Sequence, residues 1–325
     1  MSTTSIVIEG LGDSSQQYAG DSGVLSTESE TSAKKDTDIK EQRYQQELKS
    51  RGLLNTDYGF IKKMLAEQLL FGAAPLLAVL LQIAHPGVGK GVGLHSSFAE
   101  RFVERSENTA MYMMTTIYGT EEEKKTMRRF VTRRHAKVND KKTNNSYNAL
   151  DPKLQLWVAA TLFGTYIPIH EQVFGPMSQE DRETALQEFS VMGTSLQVPL
   201  EMWPRNWNEF WEYWNHVVEN ELEVTEPCLQ VTYELFHAVK NVPWSLKPLV
   251  FLFSPLRQAS AIEMLPVKLR NQLGLESTWT TRTIDAWTLY LAKTFRPYQP
   301  EWFGDFVANR MMDMVRQQMK ERKIF

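Results

Sequence analysis

The chain has one cysteine, Cys228, among 325 residues. That excludes a disulfide framework and any zinc or iron–sulfur centre built from several thiolates. A basic excess is also missing, because 36 Lys and Arg face 39 Asp and Glu for a net charge of −3. A nucleic-acid-binding surface is therefore not expected. No apolar run reaches the roughly 20 residues of a spanning helix. The nearest, Leu69 to Ala84, is interrupted by Pro75 and Gln82. A buried core helix with a proline kink is the favoured reading, and shallow contact with a membrane surface is the alternative. Finally, residues 1–50 lack Trp and Phe and hold only Tyr18 and Tyr44, whereas all nine tryptophans lie at or beyond Trp157. Such a segment cannot bury enough apolar surface to offset the entropy of ordering it. A disordered polar leader is expected over residues 1–45. It has neither an apolar signal core nor an Arg-rich transit pattern, so the protein is expected to be intracellular and not secreted.

What is present is ample for a core: 42% hydrophobic and 11% aromatic residues. Apolar residues recur at helical spacing, which predicts a single all-α globular domain over residues 46–325. One long pattern spans 57–84 and stops at His85-Pro86, where proline disfavours helix in the preceding residue. Gly87, Gly89, Gly91 and Gly93 then read as a turn. A second helix is expected over 97–118. A third opens with a Thr120/Glu123 capping box behind an acidic first turn and runs to about Val138. A polar loop follows at 140–146. Further helices are expected near 151–174, 178–196, 206–222, 226–239, 257–273, 279–294 and 300–322.

Two of these helices aim polar residues at the core. On the third, Met127, Val131, His135 and Val138 share one face beside Phe130, while Lys124, Lys125, Arg128, Arg129 and Arg133 take the other sides. A buried imidazole needs a partner. The bland reading is a core histidine bonded to a backbone carbonyl, and the sharp reading is an axial ligand to haem iron. On the second helix, Phe98, Phe102, Arg105, Thr109, Tyr112, Met113 and Thr116 fall on one stripe. The permanently charged Arg105 must find an anion there, either a buried carboxylate or a cofactor carboxylate.

Residues 68–175 resemble the catalytic region shared by bacterial rubber oxygenases (latex-clearing proteins) and the fungal endoplasmic-reticulum oxygenase of mycophenolic acid biosynthesis. The likeness is carried by LLQIAHPGVGKGVGLHSSF at 80–98, the Arg105-x-x-x-Thr109 step, the Tyr118-Gly119 helix end and RRHAKV at 133–138. Tyr147 to Pro152 and Leu156-Trp157-Val158 complete it. The resemblance implies a globin-like helical bundle binding haem b. His135 would be the proximal iron ligand, and Arg105 and Thr109 would lie beside the cofactor. It also implies dioxygen as co-substrate and oxidative cleavage of a C=C bond in an apolar isoprenoid or polyketide-derived substrate of secondary metabolism. The rubber oxygenases carry a lysine where this chain has Asn108, which makes Asn108 the expected distal substitute. Their catalytic glutamate falls in the glycine stretch here, and His85 is the remaining distal polar candidate. Association with the endoplasmic reticulum, as in the fungal member, would be peripheral.

Competing readings come from other motifs. Glu234 and His237 form one ExxH, the spacing of di-iron carboxylate bundles, but such sites need two of these motifs and two more glutamates. The stretch GVGKGVG follows a helix, not a strand, and is not closed by Lys-Ser/Thr, so no nucleotide loop is expected. A helical binding protein without redox chemistry is the non-enzyme alternative. The steps Trp203, Trp207, Trp211 and Trp214 read as core on one helix face. His95, His170 and His216 have no supporting constellation. Oligomeric state is not legible.

Overall fold

The computed structural model describes residues 57–68, 73–94, 98–140, 147–237, 247–322 and 324, with Gln42, Arg43, Gln46, Lys49 and Ser50. The chain divides into two units, Met1–Leu54 and Asn55–Phe325. The fold below is that of the second unit. Apart from Gln42 and Arg43, the expected leader lies outside the described residues.

The all-α expectation holds. In chain order the helices are α1 (Gly59–Gln68), α2 (Ala73–Ala84), α3 (Pro86–Leu94), α4 (Phe98–Tyr118), α5 (Glu121–His135) and α6 (Pro152–Phe174). They continue with α7 (Gln179–Phe189), α8 (Val191–Thr194), α9 (Trp207–Asn220), α10 (Glu226–His237), α11 (Lys247–Met264), α12 (Val267–Gln272), α13 (Trp279–Phe295) and α14 (Glu301–Glu321). Among the described residues the β pairing is one antiparallel bridge, Asn139 to Asn148.

Helix α2 is central. It packs on α6, α11, α3 and α10, and Leu76, Leu77, Leu80, Leu81 and Ile83 are all buried. Two side chains tie its polar groups to α6. Trp157 Nε1 donates to the Leu81 carbonyl at 3.1 Å, and Gln82 Nε2 donates to Thr161 Oγ1 at 2.8 Å. The long pattern over 57–84 therefore resolves into two helices, with their junction outside the described residues. Pro75 makes no kink. It lies in the first turn of α2, where a missing N–H costs nothing because no intrahelical acceptor is available.

The glycine stretch is helix α3 and not a turn. Its axis turns 101° from that of α2. A Cβ on Gly89 would lie 2.4 Å from the Ile83 carbonyl oxygen, and one on Gly93 would lie 2.6 Å from Pro227 Cβ. The glycines thus permit close approach to the end of α2 and to α10. The same logic seats Trp214 over Gly164 of α6, where a Cβ would meet the indole at 2.3 Å. Trp207, Trp211 and Trp214 do share α9, but Trp203 precedes that helix and donates to the Leu186 carbonyl at 2.9 Å. The cluster is core: Phe210 is fully buried among Phe163, Trp203, Trp211 and Trp214.

Candidate functional site

Helix α5 is specified at both ends. At its start, Thr120 Oγ1 accepts the Glu123 N–H at 3.3 Å and Glu123 Oε2 accepts the Thr120 N–H at 2.8 Å, the expected capping box. Its last turn carries Arg133, Arg134 and His135, which complement the negative end of the helix dipole. The helix ends on His135, short of Val138. The His135 carbonyl accepts the Val138 N–H at 2.9 Å, so Val138 is displaced from the helical face. The His135 side chain is half-buried and its Nδ1 is shielded from solvent.

A hydrogen-bonded chain holds this helix end in place. Gln197 Nε2 donates to Thr132 Oγ1 at 3.0 Å, while the Gln197 side-chain oxygen accepts from Gln155 Nε2 at 2.6 Å. Gln155 also donates to the Ala149 carbonyl at 2.7 Å and accepts the Gln197 N–H at 3.0 Å. This buried amide therefore links α5, the first turn of α6 and the segment after α8. The backbone leaving His135 is fixed by Val138 and Asp140 pairing with Ala149 and Tyr147. Gly91 of α3 lies against this segment, since a Cβ there would sit 3.4 Å from the Tyr147 ring and 3.5 Å from Val138. Sequence spacing gave no sign of the Thr132–Gln197–Gln155 chain, because Gln197 is 65 and 42 residues from its partners.

The other candidates separate. His85 is the cap of α3: its Nδ1 accepts the Gly87 N–H at 3.2 Å and its Nε2 faces Glu221 Oε2 at 3.4 Å. Glu221 also faces His216 at 3.6 Å. Asn108 Oδ1 accepts from Arg322 Nη1 at 2.6 Å, and Arg322 also pairs with Glu107 at 2.5 Å, so Asn108 is engaged by the last helical turn of the chain. Thr109 is exposed, which breaks the expected inward stripe, although Tyr112 and Thr116 further along are buried. Tyr112 donates to the Met192 carbonyl at 2.7 Å. Arg105 lies on α4 with Phe98 and Phe102, but their side chains are outside the described residues, as is His95. His170 stacks on Phe174 at 4.5 Å.

The ExxH pair does not converge. Glu234 Oε2 is buried without a hydrogen-bond partner, whereas His237 is exposed, stacked on Tyr233 at 4.1 Å. Among the described residues no three His, Cys, Asp or Glu side chains gather as metal donors. Burial pushes the Cys228 thiol up to about 11, which leaves it a poor nucleophile at neutral pH. A small crevice of about 20 Å³ between α6, α11 and α13 is lined by Ile169, Val173, Ser260, Met264 and Leu289, and it includes none of the candidate residues.

Residues 62–296 match the family described as "ER-bound oxygenase mpaB/B'/Rubber oxygenase, catalytic domain". The chain belongs to that family. The match extends well past the motif-bearing stretch at 68–175, through α13, and leaves α14 outside it. Two curated relatives, uncharacterized proteins of Mycobacterium bovis and Mycobacterium tuberculosis, are each 32% identical over 221 residues. The alignment covers 66% of this chain and 84% of the relative. No solved structure matches. Membership makes this an oxygenase-family catalytic domain and an oxidoreductase in class. No single described helix is long and apolar enough to cross a membrane.

Proposed function

We propose that the protein is a haem b-dependent oxygenase that uses dioxygen to cleave or oxidise a C=C bond of an apolar isoprenoid or polyketide-derived substrate. The carrying observation is the placement of His135, at the end of a doubly specified helix and beside a fixed amide chain. Haem would ask the polypeptide for one imidazole, since the porphyrin itself supplies the remaining donors to the iron. A half-buried ring with one shielded nitrogen fits that demand.

When bound, the group would supply dioxygen binding and activation. The chain's own residues would do the rest. His135 would hold the iron in a globin-like manner. Thr132, Gln197 and Gln155 would fix the helix end that carries it. Arg105 would bound the cofactor from α4, the bound group would cover Thr109, which is exposed without it, and exclusion of water would fall to the apolar side chains of α4 and α5. His85 and Asn108 already have partners on Gly87, Glu221 and Arg322, and a distal role would require either to exchange them.

The test is the absorption spectrum of purified protein, reduced and under carbon monoxide. The expected result is a Soret band that shifts on binding the gas. His135→Ala is expected to lose most of the haem per mole of protein. Full haem retention and activity in that variant, or a colourless iron-free wild type, would overturn the proposal.

A further inference from the structure

Helix α14 lies beyond the last residue of the family match, yet its end reaches the helix on which two of the candidate cofactor residues sit. Arg322, the residue that follows α14, spans two neighbours on α4. Its Nη2 donates to Glu107 Oε2 at 2.5 Å and its Nη1 to Asn108 Oδ1 at 2.6 Å. The Arg322 side chain is 26% exposed, and the chain beyond it is tucked in, with Ile324 buried and its N–H donating to the Met319 carbonyl at 2.9 Å.

This contact does two things to α4. A guanidinium has only donors, so it holds the Asn108 carboxamide by its oxygen and leaves the NH2 as the free group. Among the described residues nothing accepts from that NH2. Arg322 also pairs with Glu107, which weakens the repulsion that this carboxylate would exert on an anion beside α4.

Helical spacing shows what shares the face with Asn108. Arg101, Arg105, Asn108 and Thr109 fall on one stripe of α4, at i, i+4, i+7 and i+8, while the acids of the helix, Glu100, Glu104 and Glu107, take another side. The side chains of Arg101 and Arg105 are outside the described residues. Two permanent cations, an amide donor and a hydroxyl are the groups that receive a carboxylate. Haem b carries its carboxylates on one edge, and that edge stays near water because burying a charged carboxylate is costly. Exposed Thr109 is therefore out of place against the porphyrin face but in place beside its polar edge.

We propose that Arg322 is a positioning residue for a cofactor carboxylate, holding the Asn108 amide so that its NH2 receives that group on the stripe of Arg101, Arg105 and Thr109. The role rests on the haem reading above and adds to it a residue from outside the matched region. Plain fastening of α14 is the alternative. Arg316 separates the two, because it ties α14 to Glu123 at the start of α5 without touching the α4 stripe.

Haem loss from the purified, haem-loaded protein to an excess of apomyoglobin is followed by the Soret band. Arg322→Ala is expected to speed the loss about tenfold, the worth of one hydrogen bond to a charged group. Arg322→Lys, which can still donate to Asn108 Oδ1, is expected to recover most of that change. Asn108→Asp keeps an acceptor for Arg322 but has no NH2, and is expected to lose haem as fast as Arg322→Ala. Arg316→Ala is expected to match the wild type. Should Arg322→Ala fail to fold, Asn108→Asp and Arg322→Lys decide alone. Equal loss from the wild type and Asn108→Asp would overturn the proposal while leaving haem binding intact, as would equal acceleration by Arg322→Ala and Arg316→Ala. A wild type that holds no haem would overturn this proposal and the haem reading together.

Discussion

The apolar run of α2 and the aromatic run of α13 and α14 make opposite use of similar material. Helix α2 looks like a membrane segment in composition, yet its leucines are buried under α6, α11, α3 and α10. The C-terminal pair looks like ordinary amphipathic helix, yet it leaves Trp287, Tyr298 and Trp302 in solvent. Composition records how much apolar surface a segment has, and its neighbours decide whether that surface is spent on the core. Helix α2 has neighbours on every side, with polar groups such as Gln82 and the Leu81 carbonyl matched to α6. Helix α13 packs on α11 and α6 by one face only.

Shortening a side chain in each region breaks this symmetry most clearly. Leu81 is 1% exposed, so Leu81→Ala is expected to cost about 2–5 kcal/mol through lost transfer energy and a residual cavity. Trp287→Ala removes a larger side chain but is expected to stay within about 0.5 kcal/mol, as a surface change away from any buried network. Thermal or denaturant melts of the two variants measure the difference. Equal losses would mean that the Trp287 ring is buried in solution.

Next in size is a change at the corner between α2 and α3. In Gly89→Ala the new methyl would lie 2.4 Å from the Ile83 carbonyl oxygen, a backbone atom that cannot rotate aside. Overpacking of this kind costs about 1–3 kcal/mol. The strain would fall on the corner where His85 caps α3, so a lower melting temperature is expected. A melting temperature equal to wild type would show that α3 can slide on α2.

Local signals were legible and tertiary ones were not. The Thr120/Glu123 box gave the start of α5, and the helix expected near 151–174 is α6, where the structure shows Asp151 as cap and Pro152 in the first turn. The starts of α9, α13 and α14 were each placed within a residue. The family was legible because its motifs keep order and spacing. The glycine stretch was misread because glycine signals both turns and close helix approach, and only Pro227 and Ile83, brought in by the fold, distinguish the two. Helix α11 begins at Lys247, earlier than expected, carrying Pro255 in its interior, and the helix stops instead before Pro266. In the candidate site, the helix bearing His135 could be read from sequence. The partners of Asn108 and Thr132 could not, because Arg322 and Gln197 are remote in sequence and carry no local pattern.

The smallest expected effect concerns how α14 is held. Besides Met312, Val315 and Met319, its inner face is anchored by Arg316, whose Nε donates to Glu123 Oε1 at 2.8 Å. The Arg316 hydrogen bond, followed by the Thr120 N–H, holds the Glu123 carboxyl below its ordinary 4.5, against the opposing effect of burial. A lowered pKa in the folded state means that the pair's contribution is present above the ordinary value and fades as pH falls through the lowered one. Glu188 behaves oppositely. Its Oε2 accepts the Ile61 N–H at 2.9 Å, but burial raises its carboxyl above 4.5. It therefore burdens the fold at neutral pH and is relieved on acidification, in the core half of the molecule. Arg316→Ala is expected to cost about 0.2–1 kcal/mol at pH 7, as befits a partly exposed pair, and progressively less at acid pH. The wild-type and variant stability curves should converge as pH falls below the ordinary carboxylate range, by linkage to the lowered Glu123 carboxyl. Parallel curves across that range would mean that Arg316 holds α14 by packing and not by charge.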